Sequence, residues 1–92
     1  MQVNLYATFR LIAGVRNLEL DLPTGTTVRQ AVDEILTRLP DLRPHWVNAQ
    51  NEIHAHVHGF VNEKDVSTLP QGWDTPLQSG DVLDFFPPVA GG

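Results

Sequence analysis

The strongest constraint on this chain is a single amphipathic helix. From Val28 to Leu39 the apolar residues recur at intervals of three and four, the spacing of one helix face. Thr27, followed three residues later by Gln30, forms a capping-box signature at its start. Pro40 ends the helix, because its ring disfavours helical geometry at the preceding residue. A helix of about three turns needs an apolar surface to cover, so the rest of the chain must supply one.

Alternating segments before and after the helix predict a sheet for it to cover. Residues 3–9 and 18–22 alternate apolar and polar side chains, as do 53–61 and 83–85 after the helix. Residues 63–65 are interpreted as the turn into a short extra strand. The order strand, strand, helix, strand, short strand, strand predicts an α+β domain. We expect a ubiquitin-like β-grasp, a mixed sheet with one main helix across one face.

The end of the chain is predicted to project from this domain. Residues 1–86 form the predicted β-grasp domain and residues 87–92 a flexible tail. Pro87 and Pro88 must end the last strand, since proline has no N–H to donate. The last three residues carry almost no side chain, so the tail can reach roughly 15–20 Å. Its one reactive group is the terminal carboxylate of Gly92.

Composition excludes several classes of function. The chain has no cysteine, which rules out disulfides, thiolate metal sites and a Cys nucleophile. A net charge of −5 with scattered arginines argues against nucleic acid as a partner. Neither a secretory leader nor a run long enough to span a bilayer is apparent. We expect a cytoplasmic protein that binds neither nucleic acid nor membrane.

Two groups of side chains could suggest a different site. His54, His56 and His58 would project from one face of a strand, a pattern that can indicate zinc. Same-face neighbours on a strand are about 6.5–7 Å apart, so solvated histidines are the preferred interpretation and no metal is expected. Asp81 fits a turn after Gly80, and it is not interpreted as a catalytic pair with Asp84. Trp46, in the irregular segment after the helix, is expected to pack inward.

Several stretches resemble one family. Residues 80–92, which end in Phe-Phe-Pro-Pro-Val-Ala-Gly-Gly, closely resemble the end of the MoaD/ThiS family of ubiquitin-like sulfur carriers, in particular its molybdopterin-synthase branch. Residues 61–66 are similar to that family's strand-turn segment, 74–77 to the segment before its last strand, and 22–28 to its helix entry. The resemblance covers nearly the whole chain and is weakest over residues 41–52.

The resemblance implies a sulfur relay in which this chain is a carrier and not an enzyme. An E1-like enzyme would adenylate the Gly92 carboxylate with ATP, and a persulfide donor would convert the adenylate to a thiocarboxylate. The acceptor in this branch is a pterin precursor held by the large subunit of molybdopterin synthase. ATP is used by the activating partner, and the chain itself binds no cofactor. Both partners are expected to dock on the tail and its base: Phe60, Phe86, Pro87, Pro88, Val89, Ala90 and Gly91.

The branch of the family stays open at this point. Residues 41–58 look longer than in compact molybdopterin-synthase carriers. Related carriers supply cysteine synthesis, thiamin or tRNA thiolation, and others modify proteins. An inert interaction module is the remaining alternative. The aromatic and two prolines at the tail base favour the molybdopterin branch, because they suit an apolar synthase interface.

Overall fold

A five-stranded mixed sheet forms the centre of the protein in a computed structural model that describes residues 1–88. Its order is β2-β1-β5-β3-β4. The two central strands, β1 and β5, are parallel, and the other pairs are antiparallel. Because β1 and β5 are parallel neighbours, the segment between them must return from one end of the sheet to the other. The strands are β1 (Gln2–Leu5), β2 (Asn17–Glu19), β3 (His58–Val61), β4 (Lys64–Asp65) and β5 (Val82–Phe86).

Three helices accompany the sheet: α1 (Ala7–Ala13), α2 (Val28–Arg38) and α3 (Arg43–Trp46). The predicted capping box is confirmed at α2, where Thr27 Oγ1 accepts from the Gln30 N–H at 3.1 Å. The Gln30 side chain accepts from the Thr27 N–H at 3.0 Å in return. Three 3-10 turns lie at Pro40–Leu42, Val66–Thr68 and Gly72–Asp74.

The core lies between α2 and one face of the sheet. The helix buries its predicted stripe, and strands β1 and β5 bury alternate residues beneath it. Trp46 packs inward as expected, against the rings of Phe9 and Phe85 at centroid distances of 5.4 and 4.7 Å. The β-grasp prediction is confirmed. Within residues 1–88, no helix has the length and apolarity needed to cross a membrane.

The predicted first strand is wrong beyond Leu5. The chain turns into α1 at Ala7, and the helix ends at Gly14, whose N–H donates to Arg10 O at 2.9 Å. Over these few residues, the apolar pattern of a strand cannot be told from that of a helix, because Phe9 falls on the apolar face in both. The antiparallel pairing of the first two strands is still confirmed, with a helix in their connection.

Two predictions after α2 also need correction. The strand expected from residue 53 begins only at His58, because Trp46 O accepts from the His54 N–H at 2.8 Å and a turn follows. The turn predicted at residues 63–65 is also wrong: the short strand β4 occupies Lys64–Asp65, and Val66, where the strand was expected, begins a 3-10 turn. Val61 pairs with Lys64, so Asn62 and Glu63 form a two-residue turn. Both have positive φ, 49° and 71°, which is the geometry of a type I′ hairpin.

Candidate functional site

The candidate site lies on the sheet face opposite the core. Leu83 and Phe85 of β5 are buried, so the alternate side chains of that strand point to the other face. Those side chains, Val82, Asp84 and Phe86, are half-buried. The register places His58 of β3 opposite Phe86. The strand that carries the tail therefore presents its last side chain on this open face.

Three aromatic rings from three different segments meet where β5 ends. Tyr6 and Phe86 are stacked, with ring centroids 4.2 Å apart and planes 6° apart. Phe60 meets Phe86 edge to face at 5.4 Å. Offset-stacked and edge-to-face arrangements are the favourable ones for aromatic pairs. We call Tyr6, Phe60 and Phe86 the aromatic patch.

Asp84 adjoins the aromatic patch and orders it. Its Oδ1 accepts from Asn4 Nδ2 at 2.8 Å and from the Tyr6 hydroxyl at 3.3 Å. The pKa of Tyr6 is raised, first by desolvation, then by the charge of Asp84 and the hydrogen bond to it. The Tyr6 hydroxyl therefore stays protonated at neutral pH and remains a donor to Asp84.

A second hydrogen-bond set fixes the hairpin to the start of β5. Asn62 Oδ1 accepts from the Val82 N–H at 2.9 Å, and Asn62 Nδ2 donates to Asp81 Oδ1 at 2.9 Å. Asp81 Oδ2 accepts from the Gln78 N–H, as expected of a turn residue. Asp81 and Asp84 thus have separate hydrogen-bond partners, and the interpretation that they are not a catalytic pair stays a prediction.

The base of the predicted tail leaves from this face. β5 ends at Phe86, as the two following prolines predict. Pro87 is half-buried and shares a recess with His58, Phe60 and Phe86, while Pro88 is exposed. Phe60, Phe86 and Pro87 are therefore brought together. The remaining predicted site residues lie outside the described part of the chain: Val89, Ala90, Gly91 and Gly92.

The histidines do not form the predicted strand face. His54 and His56 stack on each other at 4.9 Å, and His56 Nε2 lies 3.0 Å from His45 O, whereas His58 is exposed on β3. Among residues 1–88, no cluster of three histidine or acidic side chains has a geometry that would hold a metal ion.

Sequence reasoning missed Tyr6 and Asp84 as members of the site. Tyr6 stands at one of the positions that alternate with the apolar residues of segment 3–9, and this is the signal that could have found it. Its contact with Phe86 depends on β1 pairing with β5, which joins residues about 80 positions apart. No local pattern reveals such a pairing.

Comparison with known proteins places the chain and its fold in one family. The model of the ThiS family matches residues 3–92. The chain belongs to the ThiS family. It is thus related to small ubiquitin-like carrier and modifier proteins, which are not themselves enzymes. Solved structures of related proteins match 99% of this chain.

Relatives come from several branches of this family. The molybdopterin synthase sulfur carrier subunit of Arabidopsis thaliana is 28% identical over 92 residues, covering 100% of this chain and 82% of the relative. The crystal structure of small archaeal modifier protein 1 from Haloferax volcanii has a TM-score of 0.86 at 27% identity, covering 99% and 97% of the two chains. A chain in the crystal structure of the Amycolatopsis orientalis BexX/CysO complex has a TM-score of 0.79 at 26% identity, with 99% and 98% covered. These similarities are nearly equal, so they do not select a branch.

Proposed function

We propose that this chain is a sulfur carrier in molybdopterin biosynthesis, with the carboxylate of Gly92 as its working group. The observation that carries the proposal is the course of β5. This central strand ends beside the aromatic patch, and the Val-Ala-Gly-Gly sequence follows Pro87 and Pro88 directly. A partner that binds the patch is thereby placed next to the start of the arm. Glycine permits close approach of another backbone, which suits entry into a narrow catalytic channel.

The proposed chemistry begins with activation by a partner. A Gly92 carboxylate oxygen attacks the α-phosphorus of ATP in an E1-like enzyme, and pyrophosphate leaves. The terminal sulfur of a persulfide then attacks the acyl carbon and AMP leaves. Reduction of the resulting acyl disulfide by a thiol releases the thiocarboxylate. Because ATP is consumed by the partner, the carrier needs no cofactor of its own, and the proposal includes a cytoplasmic location.

The acceptor is proposed to be the large subunit of molybdopterin synthase with its bound pterin precursor. The plant relative is a sulfur carrier subunit of that enzyme, and the apolar base of the arm suits a docking interface. Two alternatives have support of the same strength. The structural similarity to a chain of the BexX/CysO complex favours a related carrier outside the molybdopterin branch, of which a carrier for cysteine synthesis is one, and the similarity to an archaeal modifier favours attachment of Gly92 to a target amine.

Mass spectrometry of the protein from its native cell distinguishes these functions. A carrier gains the mass difference between sulfur and oxygen at its C-terminus. A modifier instead leaves isopeptides on target lysines. Deleting the gene for a carrier of the molybdopterin branch also abolishes molybdoenzyme activity. If neither the mass change nor isopeptides are found, the chain acts as an inert module and the proposal is wrong.

A change in arm length tests whether Gly92 is the activated residue. Deleting Gly92 shortens the arm by about 3.3–3.6 Å, and a misplacement of 1 Å can cost about a hundredfold in rate. ATP–pyrophosphate exchange with the cognate activating enzyme should disappear. Adding one alanine after Gly92 should be equally damaging. The thermal midpoint should match the parent in both variants, since the sheet ends at Phe86. Exchange at the parental rate in both would exclude Gly92 as the site.

A further inference from the structure

The open face holds two carboxylates beside aromatic rings. Glu63, on the hairpin turn, and Asp84, on β5, line one recess together with Tyr6, Phe60 and Phe86. They line a neighbouring recess with Asn4 and Asn62. Acidic and aromatic surfaces therefore meet in one place, at the base of the arm.

No described cation neutralises these carboxylates. The ion pairs formed by residues 1–88 involve Glu19, Glu34 and Asp74, and neither Glu63 nor Asp84 takes part in one. Arg10 and Arg16 line a separate recess. It shares only Asn4 and Tyr6 with the recess that Asn4 and Asn62 line together with the two carboxylates. The protein carries a net charge of −5, so the recess lies in an electronegative molecule and favours a positively charged occupant.

The geometry of Asp84 sets the direction of approach. Both of its hydrogen bonds, from Asn4 and Tyr6, go to Oδ1. Within residues 1–88, its Oδ2 accepts no hydrogen bond. The carboxylate is thus held in place by two donors while one oxygen remains available on a half-buried surface. Asp84 lines one recess with the three rings of the aromatic patch, so a donor that enters this recess to reach Asp84 also meets the rings.

The geometry points to an arginine side chain of the protein that binds the arm, with its guanidinium against the aromatic patch and hydrogen-bonded to Asp84. A guanidinium is planar, stacks on aromatic rings and donates through a rigid fork, whereas an ammonium is a compact and strongly hydrated charge. The apolar rings beside the carboxylate favour the weakly hydrated cation. Glu63 adds a second negative charge at the rim. This inference rests on the proposed function and names the chemistry of its partner.

A direct titration tests the recess without any partner enzyme. The full chain, labelled with ¹⁵N and with ¹³C in its aromatic rings, is titrated with ethylguanidinium and, separately, with ethylammonium at matched ionic strength. Saturable changes in the NMR chemical shifts of Tyr6, Phe60 and Asp84 are expected with ethylguanidinium. Ethylammonium should bind at least about threefold more weakly. Asp84→Asn should remove the saturable response. Asp41→Asn, an exposed carboxylate on the 3-10 turn after α2, changes the net charge equally and should keep it. Equal responses to both cations, or an unchanged response in Asp84→Asn, would overturn the inference.

The complex with the activating enzyme provides the second test. Asp84→Asn should raise the dissociation constant of this complex about tenfold, as expected for losing a hydrogen bond to a charged group. The dissociation constant of the variant complex should also depend less on salt concentration. Asp41→Asn should match the parent. Parental affinity in Asp84→Asn, combined with loss of exchange on deletion of Gly92, rejects the arginine contact while leaving the carrier function standing. If the parent protein supports no ATP–pyrophosphate exchange, the proposed carrier function is wrong. The titration alone then shows whether the recess binds a guanidinium.

Discussion

Gly59 is the residue at which packing on β3 leaves no room for a side chain. A Cβ built there would lie 2.9 and 3.0 Å from Cη2 and Cζ3 of Trp73 and 3.4 Å from Cε1 of Phe85. The Trp73 ring thus occupies the place of a side chain and covers the strand. This explains why Trp73, which stands on an isolated 3-10 turn, packs against the core.

Gly59→Ala is therefore expected to lower the free energy of unfolding by about 1–3 kcal/mol, the usual cost of overpacking. Urea denaturation measures it. Trp73→Leu in the same chain removes the clash, so the alanine should cost less in that background than in the parent. The same cost in both backgrounds would mean that Trp73 is not the obstacle.

Asp65 caps the 3-10 turn that follows β4. Its Oδ1 accepts from the Ser67 N–H at 2.9 Å and from the Ser67 hydroxyl at 2.8 Å. These two bonds lower the pKa of Asp65, the backbone bond contributing most, and nearby His58 adds a small effect in the same direction against burial. A lowered pKa means that the charged form stabilises the fold. That stability is present above the unfolded-state pKa and is lost as pH falls through the folded-state pKa.

Asp65→Ala should thus cost about 1 kcal/mol at neutral pH, as for loss of a cap, and progressively less below pH 4. Denaturant unfolding at a series of pH values measures the difference. Asp65→Asn keeps an oxygen acceptor for the Ser67 N–H but cannot titrate. It should recover part of the loss at neutral pH and show a flatter acid limb than the parent. A difference between Asp65→Ala and the parent that stays constant down to pH 2 would contradict this assignment.

At the scale of elements, local patterns predicted some segments and failed at others for identifiable reasons. Helix α2 was predictable because its cap, its apolar stripe and its terminating proline are all local. Helix α1 was not, because its apolar residues fit a strand equally well. The early start predicted for β3 failed because the backbone N–H of His54 bonds Trp46 O. Of the site, the contact of Phe60 with Phe86 fits the shared surface predicted from the tail, and their role in docking stays a prediction.

The β3–β4 hairpin carries strain that a glycine would remove. Glu63 has φ of 71°, a conformation that costs a residue with a Cβ about 1–2 kcal/mol. Glu63→Gly should raise the free energy of unfolding by about 0.5 kcal/mol, since part of the relief is offset by the greater freedom of glycine in the unfolded chain. Glu63→Ala removes the same charge while keeping the strain, so it should show no such gain. Thermal unfolding of the parent, Glu63→Gly and Glu63→Ala measures this difference. The prediction is wrong unless Glu63→Gly is the most stable of the three.

At the scale of the whole molecule, the proposed sulfur relay requires one surface to serve two successive partners. The activating enzyme and the acceptor both need the same arm, and the arm begins at the aromatic patch. Burial of a central aromatic residue commonly dominates the energy of such an interface. The two complexes are therefore expected to depend on the same side chain.

Phe86→Ala should weaken binding to the activating enzyme and to the acceptor by about 2 kcal/mol or more in each case, as measured by calorimetry. The protein should stay folded at 25 °C, because Phe86 is half-buried on the open face and not in the core. Leu11→Ala is the matched control, since Leu11 is 75% exposed on α1 and does not line the recesses formed by the patch. Parental affinity in Phe86→Ala, or a chain that no longer folds, would contradict the docking role.

The parallel pairing of β1 with β5 also governs when the protein becomes competent. These neighbouring strands lie about 80 residues apart in sequence, so the sheet closes only after residues 82–86 have been synthesised. Contacts between such distant segments form late, because the entropy of closing the long loop must be overcome first. The aromatic patch draws one ring from each of three segments, so we expect it to form only after β5 has paired with β1 and β3. If the proposed function is correct, a nascent chain that lacks β5 presents no aromatic patch to the activating enzyme, and we expect no ATP to be spent on unfinished molecules.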